Sequence, residues 1–92
     1  MGKVYRVEFS RSAEKDLAKM DRNTSSMIAT WIKKNLEATD DPRRYGKALG
    51  GDRGGEWSYR IGSYRVLADI RDDEVLILLF KIGHRSKVYK WA

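Results

Sequence analysis

Residues 4–9 read Val-Tyr-Arg-Val-Glu-Phe, with Tyr5, Val7 and Phe9 on one side of an extended chain and Arg6 and Glu8 on the other. That period of two predicts a strand. The period then changes. Ser10 can cap a short helix whose apolar stripe is Ala13, Leu17 and Met20, with Glu14 in the first turn, where the helix dipole favours an acid. Asp21-Arg22-Asn23-Thr24 breaks that helix and offers a second cap. Met27, Ile28, Trp31, Ile32 and Leu36 then mark one face of a second helix, which must end before Asp40-Asp41-Pro42. Residues 43–55 read as a glycine-rich, basic loop. Beyond it the pattern predicts three strands, 56–61, 64–71 and 74–82. Gly62-Ser63 suits a two-residue II′ turn, and Asp72-Asp73 suits a second two-residue connection less well than Asp-Gly would. Links this short allow only antiparallel hairpins. The expected fold is α+β: an N-terminal strand, two helices, and a three-stranded antiparallel meander, with the helices on one face of the sheet. The residues after the last strand leave room for a short C-terminal helical turn.

The turns set a register. With Gly62-Ser63 as the turn, Ile61 pairs with Tyr64 and Arg60 lies opposite Arg65; with Asp72-Asp73 as the next, Arg65 faces Phe80. One sheet face then carries Trp57, Tyr59, Ile61, Tyr64, Val66, Ala68, Ile70, Val75, Ile77 and Leu79, and is the face for the helices to cover. The other carries Ser58, Arg60, Arg65, Leu67, Leu76, Leu78 and Phe80, with Glu56, Asp69, Arg71 and Glu74 towards one end. Two arginines directly opposite one another repel, at a cost of a few tenths of a kcal/mol. Folding alone gives little reason for that pairing, whereas an anion site built on rigid strands does; the other reading is a solvated face on which each arginine pairs with a nearby acid. The same register brings Gly83, His84 and Arg85 out close to Arg60 and Arg65.

Composition narrows the chemistry. The chain has 92 residues, read as one domain over 1–92, with 41% hydrophobic and 35% charged residues and one proline, which suits an ordered globular protein. Lys and Arg number 19 against 13 Asp and Glu, and the net charge of +6 favours a polyanionic partner. The absence of cysteine removes disulfides, thiolate zinc sites and thiol nucleophiles, and a single histidine argues against a histidine-based metal site. No metal or small-molecule cofactor is expected. There is no apolar run near the ~18 residues needed to span a bilayer and no signal-peptide core, so a cytoplasmic protein without a membrane partner is expected.

Taken together, these residues resemble the RelE/ParE superfamily of bacterial toxins, the effector half of type II toxin–antitoxin pairs. The resemblance covers nearly the whole chain. It runs through Phe9-Ser10, Leu17 and Met20, Lys47-Ala48-Leu49-Gly50-Gly51, Trp57-Ser58-Tyr59-Arg60-Ile61, Tyr64-Arg65-Val66 and the closing Ile82-Gly83-His84-Arg85 with Val88-Tyr89. It implies a curved antiparallel sheet that cradles substrate, with two helices behind. For the RelE-like branch it implies an mRNA interferase: a ribosome-dependent endoribonuclease that cuts mRNA in the decoding site, amid ribosomal RNA, and so inhibits translation. It also implies a cognate antitoxin, RelB-like, acidic and helical, that wraps and blocks the toxin.

Metal-free RNA cleavage needs a group to deprotonate the 2′-hydroxyl, a cation to hold the extra charge on the phosphate, and a proton for the leaving oxygen. The resemblance implies that Arg65 holds the scissile phosphate, that Arg85 assists the leaving group, and that Tyr89 stacks on a base. Arg60 and Ser58 stand where RelE has lysines suspected of activating the 2′-hydroxyl, and arginine is a poor base. His84, the one side chain whose ordinary pKa lies near neutrality, is the candidate to fill that gap. Lys47 matches a loop lysine of the family. With Arg53, Ser58, Lys87 and Lys90 it forms the expected RNA-binding set. Arg43, Arg44 and Arg53 read as ribosomal RNA contacts or solvated cations, Trp91 as a stacking or packing residue, and Trp31 and Trp57 as core. Two other readings stand beside the ribonuclease: a ParE-like inhibitor of DNA gyrase, and a basic RNA-binding module without chemistry.

Overall fold

The structure, a computed structural model, describes residues 3–49 and 56–84. Its elements run β1 (Arg6–Phe9), α1 (Arg11–Ala18), α2 (Arg22–Asn35), β2 (Lys47–Ala48), β3 (Glu56–Ile61), β4 (Tyr64–Arg71) and β5 (Leu76–His84). The strands form one sheet in the order β1-β5-β4-β3-β2. The α+β class with two helices against a sheet is the one the pattern predicts. Two details differ. β1 runs parallel to β5 within a sheet that is otherwise antiparallel, because no short link joins those two strands and sets their direction. β2 lies inside the segment expected to be loop, and two residues are too few to show a period.

Both helix starts follow from their caps. Ser10 is extended (φ −67°, ψ 163°) and its hydroxyl accepts the Ala13 N–H at 3.1 Å. The Asp21 carboxylate accepts the Thr24 N–H at 3.2 Å and its hydroxyl at 2.6 Å. Ala13, Ile28, Ile32 and Leu36 then meet Tyr59, Ile61, Val66, Ala68, Ile77, Leu79 and Ile82 of the sheet in one core. Met27, expected on the buried stripe, is 46% exposed. It sits at the margin of the stripe, over the β3–β4 turn where the sheet ends.

The β3–β4 hairpin has the expected register: Ile61 pairs with Tyr64 and Arg60 with Arg65. Gly62 takes φ +61° while Ser63 stays out of the left-handed region, the signature of a II′ turn. The β4–β5 link corrects the expectation. Asp72–Glu74 form a 3-10 turn, and Val75, expected on the apolar face, follows in the left-handed region (φ 53°, ψ 47°). A pair of aspartates lacks the glycine that a tight primed turn needs. The last strand therefore starts at Leu76 and ends at His84.

A second correction follows along β5. Ala68 pairs with Leu79 and Leu67 with Lys81, so Phe80 is left over as a β-bulge. Leu79 and Ile82, three apart in sequence, both reach the core, which an uninterrupted strand does not allow. Arg65 meets Gly83, not Phe80. The bulge lies where β1 has ended. There Asp16 of α1 accepts the Ile82 N–H at 3.0 Å and pairs with Lys81 at 3.6 Å, covering the strand edge that β1 leaves open. Among the described residues no helix is long and apolar enough to cross a membrane.

The 3-10 turn also ties three distant segments together. Tyr5 donates its hydroxyl to Asp72 at 2.6 Å, and the Arg43 guanidinium donates to both oxygens of the same carboxylate at 3.0 and 3.1 Å. Arg43, then Tyr5, hold the Asp72 pKa below the ordinary carboxylate value. A depressed folded-state pKa adds stability above the unfolded value, near 4, and that stability disappears as pH falls through the folded one. Asp72→Asn should therefore melt a few degrees lower than the parent at pH 7, and the gap should close near pH 3. The difference stays below ~1 kcal/mol because the pair is largely exposed. Thermal unfolding at the two pH values checks this; an equal gap at both would remove the charge as its cause.

Candidate active site

Away from the helices the sheet presents rows of side chains set by register. One row is Arg60, Arg65 and Gly83; the next is Lys47, Ser58, Leu67 and Lys81; a third begins with Glu56 and Asp69. Directly opposed residues stand about 5 Å apart at Cβ, so the two arginine side chains leave the sheet side by side. Arg65 is 9% exposed, Ser58 is 1% exposed, and Arg60 projects into solvent. The Arg60 Nε donates to the Gly62 carbonyl at 3.4 Å, and among the described residues Arg60 forms no ion pair. Beyond Arg65 the row ends in a glycine, which leaves space where a side chain would stand. Asp69 and Glu74 lie towards the other end and are bound to Arg71 at 2.9 and 3.6 Å.

A pinned loop delivers Lys47 to this face. The Trp57 Nε1–H donates to the Tyr45 carbonyl at 2.6 Å, the buried Tyr59 hydroxyl donates to the Pro42 carbonyl, and the Leu49 N–H donates to the Glu56 carbonyl at 3.1 Å. The Arg43 guanidinium lies 5.8 Å from the centre of the Trp57 ring while it holds Asp72. Gly46 is at φ +78°, and a Cβ there would stand 2.1 Å from the Ser58 carbonyl oxygen, so only glycine lets the loop approach β3 this closely. Lys47 consequently lies opposite Ser58, exposed, on the arginine face. Arg43, which sequence reading gave to RNA or solvent, is part of this clamp. Trp57 packs against the core as expected and also anchors the loop. The signal for that second role was its alternation with Tyr59 along a strand, two rings whose polar tips require partners when buried.

His84 is placed differently from the expectation. It pairs with Tyr64, and their rings meet edge to face at 5.6 Å and 79°. Tyr64 and Arg65 are consecutive and point to opposite faces, so His84 lies on the helix side, away from the arginines. It lines a cleft of about 460 Å³ with Asp16, Lys19, Met20, Asp21, Tyr64, Ile82 and Gly83. The bulge at Phe80 is the cause, because one extra residue reverses the facing of everything after it. The structure thus brings together Arg60, Arg65, Ser58 and Lys47 of the expected residues and separates His84 from them. Arg53, Arg85, Lys87, Tyr89, Lys90 and Trp91, with the expected C-terminal helical turn, lie outside the described residues.

Comparison with known proteins places the chain among toxins. Residues 7–89 match the family described as the ParE toxin of the type II toxin–antitoxin system, parDE. Toxin RelG of Mycobacterium tuberculosis is 29% identical over 86 residues, 94% of this chain and 97% of that protein. Among solved structures, the toxin–antitoxin complex RelBE2 from M. tuberculosis contains a chain that superposes with a TM-score of 0.78 at 28% identity, covering 92% of this chain and 95% of that one. The isolated E. coli RelE toxin shares the fold, with a TM-score of 0.71 at 21% identity over 95% of this chain and 93% of its own.

Proposed function

Since the chain belongs to the ParE toxin family of type II toxin–antitoxin systems, within the RelE/ParE superfamily, we propose that it acts as a ribosome-dependent endoribonuclease that cuts mRNA and arrests translation. The observation that carries this reading is the Arg60–Arg65 pair, two cations opposed on a rigid hairpin with the glycine position beside them. Such a pair suits a phosphate whose charge grows during attack. The 2′-oxygen bonds to the adjacent phosphorus, the P–O5′ bond breaks, and the products are a 2′,3′-cyclic phosphate and a 5′-hydroxyl. Arg65, held nearly buried, presents two parallel N–H groups to the non-bridging oxygens, and Arg60 adds a second positive charge from the open side. Both guanidiniums are preorganised by strands, so little reorganisation accompanies the reaction.

Arg85 and Tyr89 complete the proposed set, as a donor to the leaving oxygen and a base-stacking ring. Arg53, Lys87 and Lys90 are the further RNA contacts of this proposal. The proposed partners are mRNA in the decoding site with its ribosomal RNA, and a RelB-like acidic, helical antitoxin. RelB antitoxins accompany the relatives in several of the solved complexes. A cytoplasmic location fits these partners.

The matching family model is that of ParE toxins, which makes gyrase inhibition the second reading. Induced expression separates the two. Translation should stop within minutes with mRNA cut at discrete positions, while DNA synthesis continues at first. Arrested replication with intact mRNA would instead establish the gyrase reading.

A further inference from the structure

The ribonuclease reading leaves one service without a provider: something must take the proton from the 2′-hydroxyl. Arg60 and Arg65 cannot, because a guanidinium holds its protons throughout the accessible pH range. His84 lies on the helix side of the sheet. The carboxylates of Glu56 and Asp69 stand two pairing steps from the arginines, roughly 13 Å along the strands. Asp69 is moreover held by Arg71. Of the lysines whose register assigns them to this face, Lys81 is engaged with Asp16.

Lys47 remains. It lies opposite Ser58 and is therefore the diagonal neighbour of Arg60, at about 7–8 Å between backbones, a spacing that long side chains bridge. Its four-carbon stem is exposed and ends in a primary amine, which in its neutral form is a base. Ser58 opposite is small, so no long side chain of β3 stands between Lys47 and Arg60. The position is also built: Gly46, Trp57, Tyr59 and Arg43 together pin the loop that carries Lys47.

We propose that Lys47 is the general base of the cleavage, acting across the strand pair from β2 on a phosphate held by Arg60 and Arg65. This rests on the ribonuclease reading. The neutral amine takes the 2′-proton as the O2′–P bond forms. The P–O5′ bond then breaks, the 5′-oxygen, to which Arg85 donates a hydrogen bond, takes its proton from solvent, and the ammonium returns its own proton to solvent before the next turnover.

The test uses the full chain on ribosomes programmed with a defined mRNA, in single-turnover cleavage at saturating protein, comparing the parent with Lys47→Ala and Lys47→Arg. Lys47→Ala should slow cleavage by about 10²- to 10⁴-fold, the usual contribution of a positioned base. Lys47→Arg keeps the charge and the reach but cannot accept a proton, so it should be equally slow. A Lys47→Arg rate above about a tenth of the parent's would make Lys47 a phosphate-binding cation and overturn the proposal. So would full activity in Lys47→Ala. Both variants alter an exposed side chain at a sheet edge and should melt with the parent. If the parent itself leaves mRNA intact, the ribonuclease reading falls and this assignment with it. If the parent cuts and the variants cut equally well, only the assignment falls.

Discussion

Replacing Arg65 with alanine is expected to slow mRNA cleavage by about 10²- to 10³-fold, the loss seen when one preorganised donor to a developing charge is removed. Arg65 stands on a central strand and is nearly buried, so water replaces its guanidinium poorly in a variant. The fall should appear in the single-turnover rate more than in apparent affinity, because the interaction strengthens as charge builds on the phosphate. Arg65→Lys should recover only part of it, since an ammonium offers a point charge where the guanidinium offers two parallel bonds. Cleavage on programmed ribosomes, with melting curves alongside, decides the matter. A folded Arg65→Ala protein that cuts at the parent's rate would show that the opposed pair does not hold the scissile phosphate.

The largest effect on stability is expected at Tyr59. Its side chain has no exposed surface, its ring lies 5.9 Å from that of Trp31, and its hydroxyl donates to the Pro42 carbonyl. Burial raises the pKa of its phenol well above the ordinary value, so the hydroxyl stays a donor at any pH the protein meets. Tyr59→Ala should cost about 3–5 kcal/mol, a large share of the 5–15 kcal/mol typical of a domain. Tyr59→Phe removes only the bond to the loop and should cost about 0.5–1.5 kcal/mol. Urea unfolding of both variants measures the two values. Equal losses would mean that the hydroxyl, not the packing, carries the contribution.

The parts legible in the sequence were those with a local cause. Ser10 and Asp21 cap helices because their own side chains reach the next turn, and Arg60 opposes Arg65 because a two-residue glycine turn leaves one register. The parts that were not legible depend on distant contacts. Asp72-Asp73 looks like a short connection until Tyr5 and Arg43 claim the first carboxylate, and then the turn lengthens to free it. β2 has no pattern of its own and exists because Trp57 and Gly46 draw the loop against β3. His84 followed the extrapolated alternation of a strand that breaks it at Phe80. Within the candidate site, the arginines were found from turn chemistry alone, whereas the closeness of Lys47 needed the tertiary clamp.

The bulge at Phe80 has a consequence for how this chain can change in length. It is a phase slip: the strand obeys a two-residue rhythm before it and after it, half a period out of step. Excising Phe80 would restore a single phase, turn Ile82 out of the interior and bring His84 round to the side of the arginines. The interior and the candidate-site face would exchange residues in one event. Insertions and deletions of one residue between Leu79 and Gly83 should therefore be excluded from functional relatives, while substitutions that keep position 82 apolar are tolerated. The length of this short stretch, more than its composition, keeps the two faces of the sheet distinct.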